Sequence, residues 1–139
     1  MQSHAEKAVN LFEQGCSCSQ AVFTAYAKDF GIDHDIAMKV SVALGGGGGR
    51  MRETCGAVAG MMLVAGLKYG NTDPSDANAK SAALDAAKTL AEKFKAEQGS
   101  IICKELLGLA PLRGTTEFLP KKTACKELVR KAAELLESL

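Results

Sequence analysis

Helix start and stop signals follow one another along almost the whole chain, and no alternating strand pattern interrupts them. Ser3 with Glu6 forms a capping box at the start of the first helix, and Gly15 marks where that helix ends. Ser17 with Gln20 repeats the box at the start of the second helix. The sequence therefore predicts an all-α fold, a compact bundle of about six to seven helices.

The later helices are predicted from caps and from apolar periodicity. Asp33 starts a third helix that runs into five glycines at residues 45–49. Thr54 is expected to cap a fourth helix over residues 55–69, which is apolar nearly all round but shorter than the roughly 20 residues that span a bilayer. We expect it to be the central buried helix. The remaining predicted features are a long fifth helix opened by Asp73 and Pro74, a sixth capped by Ser100, an irregular segment over residues 109–122, and a last helix capped by Thr123.

Length and charge limit the domain count and the kind of partner. A chain of 139 residues with 47% hydrophobic and 24% charged residues can close one core, so residues 1–139 are predicted to form a single domain. Lysine plus arginine (17) nearly balances aspartate plus glutamate (16), so neither nucleic acid nor an anionic membrane surface is an expected partner. The first residues carry no basic region followed by an apolar run, so we expect a cytoplasmic protein without a secretory signal.

Four of the five cysteines fall in the first turn of a predicted helix, on its apolar side. A helix N-terminus stabilises a thiolate, and Lys104 and Lys126, each directly after one of these cysteines, could lower a thiol pKa further. In the cytoplasm an odd number of widely spaced cysteines argues against a disulfide framework, so redox cycling or metal binding is favoured. The alternative is that they are small apolar residues of the core. The four are Cys18, Cys55, Cys103 and Cys125.

The surroundings of Cys55 single it out as the attacking thiol. Arg50 and Arg52 precede it, and nearby cations favour a thiolate. Gly56 and Gly60 remove side-chain bulk beside it, so that another helix or a flat cofactor could approach the backbone.

The glycines at residues 45–49 give a second prediction for the arginines. Together with Arg50, Arg52 and the helix start that follows, these glycines could cradle an anion. The segment is not a Walker loop, because no Gly-Lys-Ser/Thr follows it. The competing interpretation is a mobile connector that lets the fourth helix bury deeply.

Histidines contribute little to these predictions. His4 and His34 are the only two in the chain, lie far apart in sequence and lack the spacing of a metal pair. Both are expected to be exposed residues at helix starts.

Several of these residues together resemble a known family. Residues 55–60 read Cys-Gly-Ala-Val-Ala-Gly, residues 15–22 read Gly-Cys-Ser-Cys-Ser-Gln-Ala-Val, and two single cysteines follow at the start of later helices. In this order they resemble the redox-active C-GCAxxG-C-C family over nearly the whole chain. The resemblance implies a small bacterial or archaeal helical protein with a redox role and no settled substrate or cofactor. Carried over by motif, the family's four cysteines are Cys18, Cys55, Cys103 and Cys125.

Cys16 is additional to the four-cysteine pattern. With Cys18 it forms a Cys-x-Cys pair in the turn between the first two helices, close enough to share a metal or to resolve a disulfide. The alternative is a surplus cysteine in a loop.

Three functions remain open from the sequence. The first is dithiol/disulfide exchange by Cys55 and its neighbours with an unknown redox partner or small molecule, which requires no cofactor. The second is a zinc or iron–sulfur site on the four thiolates, although gaps of 37 (55 − 18), 48 (103 − 55) and 22 (125 − 103) positions provide no Cys-x-x-Cys clip. The third is a non-catalytic interaction module, for instance a homodimer formed through the alanine stripe of the fifth helix.

Overall fold

The computed structural model describes residues 2–121 and 123–139. Over this part of the chain it contains no strand, only an isolated antiparallel bridge between Thr54 and Ile102. The all-α prediction is confirmed. The helices are α1 (His4–Glu13), α2 (Cys18–Ala27), α3 (His34–Ser41), α4 (Gly56–Tyr69), α5 (Ala77–Gln98), α6 (Cys103–Leu106) and α7 (Cys125–Leu136), with short 3₁₀ turns at Lys28–Phe30 and Val42–Leu44.

Helices α2 and α4 together form the centre of the bundle. α4 packs between α2 and α5, while α1 packs against α2 and α7. α4 is buried through its first three turns, as the sequence predicted, and α2 is buried along all but two of its residues. Their contact is close at Gly60, where an added Cβ would lie 2.9 Å from the Cβ of Val22. None of the helices described has both the length and the apolar character needed to cross a membrane.

Helix α5 is covered over its second half only. Leu90, Ala91 and Phe94 are buried, whereas Leu84 is 60% exposed on the first half. The homodimer through the alanine stripe stays a prediction.

The caps of the first three helices are those predicted from the sequence. Both capping boxes are formed, with the hydroxyls of Ser3 and Ser17 accepting from backbone N–H groups three residues further on. The Asp33 carboxylate accepts from the backbone N–H of Ile36 at 3.2 Å. These starts are set by local side-chain chemistry, which the sequence shows directly.

Later helix starts differ from the prediction. Thr54 does not cap α4, because its backbone is engaged in the bridge to Ile102 and Cys55 takes the N-cap position. Helix α5 begins at Ala77, capped by Asp76, instead of at Pro74, since residues 73–76 form a separate turn. Tertiary and local turn contacts have overridden the simpler capping assignments.

Two further starts are also displaced. The N-cap of α7 is Ala124, one residue after the predicted Thr123, and it makes no side-chain hydrogen bond. Ser100 accepts from the backbone N–H of Ile102, so it shapes the turn before α6 and the helix itself starts at Cys103. The segment 109–122 is irregular over residues 109–121, as predicted, and Lys122 lies outside the described residues.

The glycine segment is a compact turn with left-handed backbone. Gly46, Gly47, Gly48, Gly49 and Arg50 all have φ between 56° and 81°. Backbone hydrogen bonds tie the segment to its flanks, including one of 2.7 Å from Gly49 N–H to the carbonyl of residue 43 and one of 2.9 Å from residue 53 N–H to the carbonyl of Gly47. A Cβ added to Gly47 would lie 2.5 Å from the Cα of residue 52. Glycine is therefore required at this position by both conformation and space.

Candidate thiol site

Four cysteines stand at helix starts, as the sequence predicted, although only the predicted cap of α2 is formed. Cys18, Cys103 and Cys125 are the first residues of α2, α6 and α7. Cys55 is the N-cap residue of α4. At the starts of α2, α4 and α7 the backbone N–H groups give the helix end a partial positive charge, whereas the first two N–H groups of α6 donate to the carbonyls of residues 53 and 52.

The bridge between Thr54 and Ile102 brings Cys55 and Cys103 together. The Cys55 N–H donates to the carbonyl of Ile101 at 2.7 Å, and the Cys103 N–H donates to the carbonyl of Glu53 at 2.5 Å. The two cysteines each directly follow a member of the bridged pair, on the two segments that the bridge joins. Residues 48 positions apart in sequence thus become neighbours through backbone hydrogen bonds.

Cys18 lies over the start of α4. A Cβ added to Gly56 would lie 3.2 Å from the Cβ of Cys18, so glycine here allows α2 to approach the residue next to Cys55. The charges of Cys125, Cys55 and Cys103 each raise the pKa of Cys18, which requires all three thiols to lie near it. We call Cys18, Cys55, Cys103 and Cys125 the thiol cluster.

Cys18 and Cys125 form the most strongly interacting pair of the cluster. Hydrogen bonding from the Cys18 thiol lowers the pKa of Cys125 to about 6, against the opposing effect of burial, with help from the Arg52 charge and the backbone N–H of Cys125. The same interaction, with burial, raises the pKa of Cys18 well above its usual range. The interaction therefore favours ionisation of one member of the pair while the other keeps its proton.

Among residues 2–121 and 123–139, Arg52 is the cation that reaches the cluster. Its Nη1 lies 3.9 Å from the Cys103 Sγ, and the backbone adopts φ 61° to bring it there. Arg50 also has positive φ, but its side chain makes no described contact with a cysteine. The lysines that follow two cysteines in sequence pair elsewhere: Lys104 with Glu53 at 3.2 Å, and Lys126 with the carboxylate of residue 13 at 3.4 Å.

Cys55 is the most deeply buried thiol of the cluster, with 4% exposure. Burial raises its pKa to about 11, although the backbone N–H groups of Val58 and Ala57 act in the opposite direction. The sequence analysis singled out Cys55 as attacking thiol because two arginines precede it and two glycines open the helix beside it. In the folded chain burial is the largest influence on the pKa of Cys55, and it acts against the thiolate.

Gly56 and Gly60 serve the packing of α2 on α4. The space beside Gly56 is taken by Cys18 and Ser19, and the space beside Gly60 by Val22 and the Ser19 carbonyl. Helix α2 thus occupies the position that the sequence analysis left open to either a helix or a flat cofactor.

Cys16 points away from the thiol cluster although it is only two residues from Cys18. Its Sγ lies 3.9 Å from the Sδ of Met38 on α3, and burial raises its pKa. No effect of the other thiols contributes to that shift. Cys16 is thus packed against a thioether, on a different side of the turn.

The metal prediction for Cys18, Cys55, Cys103 and Cys125, with Cys16 as a possible fifth ligand, stays a prediction. Within residues 2–121 and 123–139 no three His, Cys, Asp or Glu side chains are grouped as a metal ion would require. The thiols would have to move together to act as a ligand set.

A second cluster of titratable groups lies at His4. Its Nε2 is 2.6 Å from the Asp29 carboxylate, its Nδ1 is 2.8 Å from the Glu137 carboxylate, and its ring stacks on Tyr26 at 4.0 Å between centroids. Burial lowers the pKa of His4, but the two carboxylates outweigh it and the pKa is raised. The sequence analysis expected an exposed helix-start residue, since nothing in the spacing links positions 4, 29 and 137.

Comparison with known proteins places the chain in a family. Residues 16–139 match the family described as "Putative redox-active protein (C_GCAxxG_C_C)". No curated protein and no solved structure shows a significant match. The match includes all four members of the thiol cluster and spans most of the chain, which therefore belongs to the C_GCAxxG_C_C family.

Proposed function

We propose that the protein is a thiol–disulfide oxidoreductase that reduces a disulfide substrate through the thiol cluster, in the cytoplasm, where thiols are kept reduced. The observation that carries this proposal is the convergence of four helix-start cysteines, 107 positions apart from first to last (125 − 18), on one site. Membership of a family described as redox-active supports it.

We call Cys18 and Cys125 the outer pair, and their reaction with the substrate disulfide the outer step. The Cys125 thiolate attacks one sulfur of the substrate disulfide, the S–S bond breaks, and one substrate thiolate leaves and takes up a proton. A mixed disulfide now joins Cys125 to the other half of the substrate. Cys18 then loses its proton and attacks the Cys125 sulfur, which releases the second substrate thiol. Two electrons have passed to the substrate, and Cys18 and Cys125 share a disulfide.

Cys55 and Cys103 supply a second pair of thiols in this proposal, which we call the inner pair. One of them attacks the Cys18–Cys125 disulfide, and the other resolves the resulting mixed disulfide, which restores two thiols to the outer pair. Two electrons and two protons move from the inner pair to the outer pair in the exchange. Burial of Cys55 suits a thiol that reacts with a neighbouring disulfide and is shielded from solvent.

The first experiment is intact-mass measurement of anaerobically purified protein under native conditions, before and after addition of glutathione disulfide. Each disulfide removes two hydrogens, so we expect a loss of two and then four hydrogens, reversed by reduction. In the Cys18→Ser variant the outer step stops halfway, and one glutathione should remain attached to Cys125. Cys16→Ser is the matched control, and it should behave as the unaltered chain does.

Two results would overturn the proposal. Protein that neither loses hydrogens nor acquires glutathione would return the cysteines to a packing role in an interaction module. A zinc ion or iron–sulfur cluster that is present in the native mass and disappears when the four cysteines are replaced would establish a thiolate metal site instead.

A further inference from the structure

A groove of about 430 Å³ lies beside the turn that carries Cys103. It is bounded by the end of α5, the turn before α6 and the irregular segment after α6. Its volume is within the range of sites for small molecules. The residues used below are Lys95, Ser100, Glu105 and Arg113, all of which line it.

Glu105 is the unusual member of this groove, since its side chain is charged in type yet only 6% exposed. The Ser100 hydroxyl, itself 2% exposed, donates to Oε1 at 2.8 Å. Among residues 2–121 and 123–139 no ion pair involves Glu105, and no hydrogen bond to Oε2 is described. No buried side-chain oxygen lacks a hydrogen-bond partner among the described residues, so Oε2 is reached by solvent and is open to a donor in the groove.

Two cations stand at the rim of the same groove. The Arg113 side chain is 78% exposed, and its Nη2 approaches the carboxylate of Glu53 at 4.0 Å. Lys95 is exposed on the last turn of α5. The groove thus has a hydrogen-bond acceptor in its wall and positive charge at its edge. The acceptor suits an ammonium group, and the positive charge suits a carboxylate on the same ligand.

The groove and the thiol cluster share one stretch of backbone. Glu53, which Arg113 approaches, accepts the Cys103 N–H through its carbonyl, and Lys104 pairs with its carboxylate. A ligand held at Arg113 would therefore lie next to the segment that positions Cys103.

We propose that this groove binds the α-amino-acid end of a low-molecular-weight disulfide, with its ammonium group on Glu105 and its carboxylate between Lys95 and Arg113. The assignment of a disulfide rests on the proposed function, whereas the recognition of the α-amino-acid end rests on the groove alone. The competing role for Glu105 is a local one, in which its bond to Ser100 merely steadies the turn before α6.

The test is calorimetric titration of the full, reduced chain with S-methylglutathione, which has an α-amino-acid end and cannot exchange disulfides. We expect Glu105→Gln to raise Kd about tenfold and Lys95→Ala to raise it about fivefold, because each loses a charge-assisted contact. Glu92→Gln and Lys93→Ala make the same chemical changes on exposed positions of α5 outside the groove, and both should leave Kd within twofold. The N-acetylated probe, which has no ammonium group, should bind the unaltered chain about tenfold more weakly than its parent.

Failure of this proposal is separable from failure of the proposed function. Absence of binding, or equal Kd for Glu105→Gln and Glu92→Gln in folded protein, would overturn the groove assignment even if thiol exchange proceeds. Should Glu105→Gln not fold, Lys95→Ala decides, since Lys95 is exposed and holds no core contact. An unaltered chain that binds S-methylglutathione but does not react with glutathione disulfide would instead count against the redox proposal and leave the groove assignment standing.

Discussion

Helices α2 and α7 begin at one titratable cluster and end at another, and the two ends differ in the charge they favour. Cys18 and Cys125 are their first residues. Beyond their last turns lie Asp29 and Glu137, which hold His4. A helix start favours an anion and a helix end favours a cation. The thiolate of one cluster and the protonated imidazole of the other are thus stabilised by the same two helices.

Because of burial, the electrostatic interactions within the thiol cluster are stronger than those around His4. The thiol cluster includes residues with 4% and 8% exposure, Cys55 and Cys103, and its members shift one another's pKa strongly. The carboxylates around His4 are about half exposed, at 54% and 49%, so solvent screens them. Under the proposed function, reactivity is concentrated at the helix starts, and we expect the opposite end to contribute a modest, pH-dependent amount to stability.

Replacement of Cys125 should give the largest effect. In Cys125→Ser we expect the rate of reaction with glutathione disulfide to fall at least about 100-fold, because the hydroxyl that replaces the thiolate is not ionised at neutral pH. Stopped-flow or quenched mass analysis at pH 7 measures the rate. Cys16→Ser should stay within about twofold, and an equal loss in both variants would show that the site has been assigned to the wrong thiols.

Two glycines of α4 test how tightly the thiol end is packed. Gly60→Ala should destabilise the protein by about 1–3 kcal/mol, because its Cβ would press on Val22 between α2 and α4. Gly66→Ala meets nothing within 4 Å, and it should stabilise by about 0.5–1 kcal/mol through helix propensity. Urea unfolding of both variants gives the difference. If both substitutions changed the free energy of unfolding in the same direction, close packing at Gly60 would not govern the α2–α4 contact.

Arg52 should contribute a smaller share of the reactivity at this end. The unaltered Cys125 should be half-maximally alkylated near pH 6. Arg52→Asn removes the guanidinium while allowing the left-handed backbone, so the Cys125 pKa should rise and alkylation at pH 6 should slow about threefold. Arg50→Asn is matched in charge and conformation and should leave the profile unchanged. An identical shift of the alkylation profile in the two variants would mean that the Cys125 pKa responds only to the net charge of the protein.

The smallest effect is expected at the other end, from His4→Gln. Because the folded-state pKa of His4 is raised, its stabilisation is complete below the ordinary histidine value of 6.5 and is lost as pH rises through the folded value. We expect the free energy of unfolding to fall by at most about 0.5 kcal/mol at pH 5.5 and by less at pH 8.5. Urea unfolding at both pH values measures it. A larger loss at pH 8.5 would contradict the sign of the shift.

The fold and the positions of the cysteines could be predicted because they follow from local signals. Capping residues and glycine stops mark helix ends within a few positions, which placed Cys18 at the start of α2 and Cys103 near the start of α6. Where a start depended on a distant partner, as at Thr54, the local signal failed.

The chemistry within the cluster could not be predicted in the same way. The pairing of Cys18 with Cys125, and the contact of Arg52 with Cys103, join residues far apart in sequence. Lys104 is adjacent to Cys103 in sequence but turns toward Glu53. Adjacency along the chain indicates little about which charge meets which thiol, because helix direction and tertiary packing decide it.

The run of positive φ values from Gly46 to Arg50 gives the segment the handedness that D-amino acids prefer. At Gly48 a Cβ in the L position meets nothing within 4 Å, yet it would still be strained by the backbone at φ 81°. D-Alanine, introduced at Gly48 by chemical synthesis, suits a positive φ and narrows the unfolded ensemble. In this turn beside the thiol cluster, a D-residue should therefore raise the free energy of unfolding, and an L-residue should lower it.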